Sequence, residues 1–158
     1  MSRGKKRSPR KPVLDPVYQS VFVSKLINML MYDGKAEVAE KIVYEAIKKS
    51  KDKLIEKFQT IPNAIESIIL IIGPTIKTQT KRIGGSNYQI PRPVPEYRRI
   101  SMGIKMLIKA ARKKSGRSMA EKLSSELLLA TEEKGEAVKE RINIVKMASA
   151  NKAFAHLA

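Results

Sequence analysis

The chain contains no cysteine and no tryptophan, and His156 is its single histidine. Without thiols there is no disulfide and no thiolate zinc site, and one imidazole cannot build a site from several histidines. The lack of cysteine also fits a reducing compartment. Aromatic residues make up 5% of the chain, so aliphatic side chains must fill the core. No apolar run approaches the roughly 18 residues of a membrane-spanning helix. The longest, Ile68–Ile72, reads as a buried helix turn or strand. The first twelve residues lack the apolar stretch of a secretory signal, and they are short for an organellar transit peptide.

Acid is missing where base is abundant. Residues 1–12 carry six Lys or Arg and no acid, residues 77–99 carry six against Glu96 alone, and residues 105–117 carry six and no acid. The rest of the chain balances, with fourteen bases and fourteen acids, so these windows hold the whole formal net charge of +17. A neutral body with basic outgrowths is the footprint of a polyanion binder. At 158 residues and 42% hydrophobic, the body is long and apolar enough for one domain with its own core.

Residues 1–12 read as a disordered basic arm, because Ser8-Pro9 and Lys11-Pro12 break helix and nothing in the segment offsets the entropy of ordering. Residues 13–158 read as a single domain. A first helix is expected just after Asp15-Pro16, a cap followed by proline, with Phe22, Leu26, Met29 and Leu30 on its face and Asp33-Gly34 at its end. A second runs from about Glu37 into the fifties, with Val38, Ile42, Val43, Ala46, Ile47, Leu54, Ile55 and Phe58 inward. Pro62 separates a third, which Gly73-Pro74 closes. The period then becomes two. Thr75–Arg82, Gly84-Gly85 and Tyr88-Gln89-Ile90 form a hairpin signature over 75–91, and Pro91, Pro93 and Pro95 are expected to stop its ladder.

Helix returns at about Glu96, with Ile100, Ile104, Leu107, Ile108 and Ala111 in one stripe. Ser118 and Glu121 fit a capping box for a fifth helix, Met119 to about Glu133, with Leu123, Leu127 and Ala130 inward. A sixth runs from about Glu136 to Phe154, with Val138, Ile142 and Val145 at core spacing. The fold class is therefore mainly α: a bundle-like domain of six helices with one β-hairpin projecting between the third and fourth.

No catalytic constellation stands out. Gly34-Lys35 lacks the glycine loop of a nucleotide-binding motif, and His156 has no evident partner. The chemistry present is cationic. Lys77, Lys81 and Arg82 run along the hairpin, Gly84 and Gly85 let backbone approach phosphate, and Tyr88 offers either base stacking or cross-strand packing. Arg92, Arg98 and Arg99 suit bidentate phosphate contacts. A ribonucleoprotein component and an architectural DNA-binding protein with basic β-arms both fit these residues.

The segment Lys81-Arg82-Ile83-Gly84-Gly85-Ser86-Asn87-Tyr88-Gln89-Ile90-Pro91 resembles the hairpin of bacterial-type small-subunit ribosomal protein seven. Asp15-Pro16, Lys25-Leu26-Ile27-Asn28, Asp33-Gly34-Lys35, Ala39–Tyr44, Ser115–Ala120 and the tail Ala153-Phe154-Ala155-His156 resemble that family in order. The resemblance implies six helices with a hairpin after the third. It implies no enzymatic activity and no cofactor. It also implies binding to the 3′ major domain of small-subunit ribosomal RNA, where the family nucleates assembly of the head, near the decoding region. Exit-site transfer RNA and messenger RNA lie nearby, and small-subunit proteins nine and eleven are neighbours. The setting is the ribosome, in the bacterial cytoplasm or an organelle (plastid or mitochondrion). The RNA contacts carried over are Arg3, Lys5, Lys6, Arg7, Arg10 and Lys11 in the arm, then Lys25 and Lys35 on the first two helices and their loop. They continue with the hairpin residues Lys77, Lys81, Arg82, Gly84, Gly85, Tyr88 and Arg92, and end with Arg98, Arg99, Lys109, Arg112, Lys113, Lys114 and Arg117. The chain departs from the family spacing near Lys51–Ile61, carries Lys77 where an acid is usual and Gln79 where a base is usual, and ends Leu157-Ala158 in place of an aromatic and basic tail.

Removal of residues 1–12 is expected to weaken RNA binding while leaving the melting temperature nearly unchanged. A truncated protein that melts much earlier would make the arm part of the fold.

Overall fold

A computed structural model of the chain describes residues 13–116 and 118–157. The basic arm at 1–12 and Arg117 lie outside the described residues. Six helices and one hairpin follow in the order α1 (Val21–Leu30), α2 (Ala36–Phe58), α3 (Ile61–Ile72), β1 (Ile76–Ile83), β2 (Ser86–Pro93), α4 (Glu96–Lys113), α5 (Met119–Thr131) and α6 (Glu136–Ala150). A 3-10 turn, Lys152–Leu157, ends the described chain. This is the architecture expected from the sequence.

The first helix starts later than Asp15-Pro16 indicates. The Asp15 carboxylate accepts the Val17 and Tyr18 backbone N–H groups at 3.2 and 2.8 Å, which closes a turn instead of opening a helix. Gln19 then sits at φ +49, and Ser20 caps α1 through the Phe22 and Val23 N–H groups. Asp15 is buried and also accepts the Tyr44 hydroxyl at 2.7 Å, which ties the entry segment to α2. Burial, and next this bond, hold the Tyr44 hydroxyl well above its ordinary pKa. The helix also stops at Leu30, ahead of Asp33-Gly34, which form the following turn at φ +50 and +74.

Helix α3 resolves the choice between helix turn and strand for Ile68–Ile72 in favour of helix. Pro62 lies inside its first turn, where proline's missing N–H costs nothing. Ile61, Ala64, Ile65, Ile68, Ile69 and Ile72 are all buried, and α3 touches each of the other helices. Its approach to α4 depends on Gly103: a Cβ there would stand 2.5 Å from the Ile69 carbonyl oxygen. The C-terminal carbonyls of α3 are met by two guanidinium groups. Arg99 donates to Gly73 O at 3.0 Å and to Leu70 O at 2.7 Å, and Arg141 donates to Ile71 O at 3.0 Å. Cations at a helix C-terminus satisfy both its orphan acceptors and its dipole.

Several expected core positions face outward. Val38 is 53% exposed and Ile55 lies at the surface, so the buried face of α2 is Ala39, Val43, Ala46, Ile47, Ser50 and Leu54. On α6, Ala137, Val138 and Ala148 are buried, while Ile142 and Val145 line an open groove with Gly73, Pro74 and Thr75. Helix α6 ends at Ala150, short of Phe154, and the chain tightens into the 3-10 turn. The Ser118 hydroxyl accepts the Glu121 N–H at 3.3 Å as the capping box requires, but the Glu121 carboxylate goes to Lys49 at 3.1 Å.

The ladder does not stop at proline. Thr78 pairs with Pro91 and Ile76 with Pro93. The Val94 N–H donates inward to Thr75 O at 2.8 Å. Nitrogens two residues apart face the same way, so those of Pro91 and Pro93 point to the open edge, where a missing donor is tolerated. Gly84 and Gly85, at φ +57 and +89, make the two-residue turn that a right-twisted hairpin favours. The hairpin is anchored part-way along its length as well as projecting. Ile90 is fully buried, and the Tyr88 ring meets Phe154 edge-on at 5.3 Å between centroids.

Ile90→Ala and Leu123→Ala are each expected to cost about 2–5 kcal/mol, as other buried truncations do. Gly103→Ala is expected to cost about 1–3 kcal/mol, because the added methyl meets backbone. Chemical denaturation of the three variants checks these values; a neutral Gly103→Ala would show that the crossing relaxes freely.

Candidate nucleic-acid interface

Helix α4 carries its cations at a helical repeat. Lys105, Lys109, Arg112 and Lys113 follow at spacings of four, three and one, which puts them along one side of the helix. Ile104, Leu107, Ala110 and Ala111 are buried on the other. With Met29 of α1 and Ile108, the four cations line an open cleft of about 380 Å³ between α1 and α4. Lys25, half-buried, belongs to α1, and Lys35 is exposed at the start of α2. The sequence reading omitted Lys105 from the site. Its i,i+4 spacing to Lys109 was the signal available.

The hairpin sorts its cations by the two-residue alternation. Lys77, Lys81 and Arg92 lie on the face of Tyr88 and Ile90, and Arg82 lies on the opposite face with Gln89. Lys77 stands directly across from Arg92. Like charges at paired positions are destabilising, so this pair is an arrangement that a bound anion relieves. Gly84 and Gly85 form the exposed tip, with no heavy atom within 4 Å of where either Cβ would be.

The structure gives some predicted contacts work inside the protein. Arg99 spends its Nε and one Nη on the carbonyls at the end of α3. Arg112 donates to Leu30 O at 3.3 Å and caps α1 while still lining the cleft. Lys114 pairs with the fully buried Glu126 at 2.7 Å and donates to Ser125 Oγ at 2.8 Å. Glu126 in turn accepts the Ala137 N–H at 3.0 Å, which joins the α4–α5 linker to the start of α6. An unpaired charge at Glu126 would be costly, so Lys114 is first a structural counter-ion. Tyr88 spends part of its ring on Phe154. Arg98 is exposed and stacks beside Tyr97 at 5.7 Å. Lys109 is paired with Glu140 but its side chain remains 58% exposed.

The cationic field extends to neighbouring acids. The Glu136 carboxyl is held below the usual carboxylate range, first by a hydrogen bond and charge from Lys139 and then by the charges of Lys113 and Lys114. Among the described residues no cluster of three or more His, Cys, Asp or Glu side chains is placed to hold a metal ion. Among the described residues no helix is long and apolar enough to cross a membrane either.

A helical domain whose surface gathers cations in a cleft and on a hairpin is a polyanion-binding protein of the ribosomal type. A family model described as ribosomal protein S7p/S5e matches residues 2–152. The small ribosomal subunit protein uS7 of Pelagibacter ubique is 47% identical, over 99% of this chain and 98% of the relative. The proteins of that name from Thermosipho melanesiensis and Shewanella sediminis are 42% and 41% identical, each over at least 97% of both chains. The chain belongs to the ribosomal protein S7p/S5e family. It is a structural, non-enzymatic constituent of the small ribosomal subunit.

Arg99→Ala is expected to lower stability by about 1–3 kcal/mol, because buried carbonyl acceptors lose a charged donor. Lys105→Ala, an exposed substitution, is expected to change it by less than about 0.5 kcal/mol. Thermal melts of both variants test the division between structural and surface cations; equal effects would erase it.

Proposed function

We propose that the chain binds the 3′ major domain of small-subunit ribosomal RNA directly and nucleates assembly of the subunit's head. The observation that carries this reading is the α1–α4 cleft, whose wall holds Lys105, Lys109, Arg112 and Lys113, with, among the described residues, only Lys109 drawn to an acid, Glu140. The hairpin adds a second contact region through Lys77, Lys81, Arg82 and Arg92, and Arg98 lies between the two in sequence. The six cations of the arm form a third. In this reading residues 13–158 act as one RNA-binding domain, with exit-site transfer RNA and messenger RNA nearby. Small-subunit proteins nine and eleven are its protein neighbours. The bacterial relatives support the bacterial cytoplasm as the setting.

Phosphate neutralisation by these cations releases counterions, so affinity must fall with salt. Filter binding to a transcript of the 3′ major domain is expected to show a log–log salt slope of magnitude at least about 4, for roughly six or more phosphates. Lys105→Ala combined with Arg82→Ala is expected to reduce that slope by about 2 and affinity by about 1–3 kcal/mol, with the fold intact. A flat salt response, or equal affinity for duplex DNA in competition at matched salt, would overturn the reading.

A further inference from the structure

The turn between α1 and α2 leaves an aromatic ring in the open. Tyr32 is 73% exposed, and Val38, across the turn, is 53% exposed. Both line an apolar pocket of about 200 Å³ together with Ile42 and Met119. The charged side chains on its wall are Lys35 and Arg112; the nearby acids Asp33 and Glu37 are not part of it. Arg112 lines the α1–α4 cleft as well, so the pocket opens beside the row of cations formed by Lys105, Lys109 and Lys113. Its guanidinium is held at that junction by its bond to Leu30 O.

These features ask for one kind of occupant. A flat apolar group is needed for the Tyr32 ring and the aliphatic wall, and it must carry negative charge on both sides for Lys35 and Arg112. A nucleotide supplies both. A base inside a duplex has its faces covered by stacking and cannot enter, whereas an unpaired base presents a bare π-face that aromatic side chains take up. We propose that this pocket receives one unpaired RNA base, stacked on Tyr32, while the adjoining phosphates lie on Lys35, Arg112 and the cleft. The proposal rests on the RNA-binding reading above and adds to it that the site prefers single-stranded or bulged RNA.

The test titrates the full-length protein with a single RNA strand of about twelve nucleotides, within the span that such grooves cover, carrying one 2-aminopurine. A fully paired RNA duplex of equal length is the comparison. Tyr32→Ala is expected to weaken binding of the strand roughly five- to hundredfold and to remove the quenching of 2-aminopurine. Tyr32→Phe is expected to keep both, and duplex affinity should not change with either variant. Because the ring is exposed, the melting temperature should stay put. Tyr32→Ala that binds and quenches like the unaltered protein would overturn the proposal, as would an equal loss for strand and duplex. A glutamate- and leucine-rich peptide serves as the competing occupant: if Tyr32→Ala weakens the peptide and spares the strand, the pocket docks protein and the proposal falls. If the unaltered protein binds neither RNA at low salt, the RNA-binding reading itself fails. If both bind with a steep salt dependence and Tyr32→Ala is silent, the pocket alone is wrong.

Discussion

The crossing of α3 over α4 depends on a missing side chain. Gly103 lets the α4 backbone come so close to Ile69 O that no Cβ would fit between them. Close approach at that point brings Arg99, one turn earlier on α4, within reach of the carbonyls of Leu70 and Gly73. Arg141 of α6 closes over the carbonyl of Ile71 in the same way. The Gly73 N–H meets Ile69 O, and cations from two other helices cap the carbonyls beyond it. Pro74 and β1 leave directly from this point, so the direction in which the hairpin sets out follows from the same contacts. Because α3 touches every other helix, a shift at this crossing would be felt throughout the core.

The cations of this protein divide into two populations that composition cannot separate. One serves the fold: Arg99, Arg141 and Lys114 each meet an internal acceptor, and the Lys114–Glu126 pair joins the linker before α5 to the start of α6. The other is held at the surface with few acids nearby, along α4 and on the hairpin. The direct opposition of Lys77 and Arg92 is informative here. A fold optimised only for its own stability would place opposite charges at paired positions. Self-repulsion that a polyanion would relieve fits a protein that works inside a ribonucleoprotein particle.

Much of this was written in local sequence. Periodicity located all six helices and the hairpin, because apolar spacing of 3.6 or 2 reflects which side of an element must leave water. The paired glycines at 84 and 85 announced the turn, since both positions need positive φ. The charge windows announced the partner's sign, and the motif around the hairpin pointed to the family. Local rules misplaced what depends on neighbours. Asp15 looked like a helix cap, yet its carboxylate is spent on a turn and on Tyr44, distant in sequence. Pro91 and Pro93 looked like a ladder stop, yet only the pairing register shows that their nitrogens face the open edge. Ile142 and Val145 have core spacing, but nothing in the described structure covers the groove they line.

The amino-acid sequence alone therefore determined the elements, their order, the excess of positive charge and the segments that carry it. Those properties are set by residues near one another along the chain. The tertiary structure decided which arginine caps a helix and which lysine faces the cleft, that Ile90 anchors the hairpin, and that Tyr32, Lys35 and Arg112 share one pocket. Each of these joins residues far apart in sequence, and a long flexible cation reads the same in sequence whether its partner is an internal carbonyl or a bound anion. Only the distances fixed by packing separate the two.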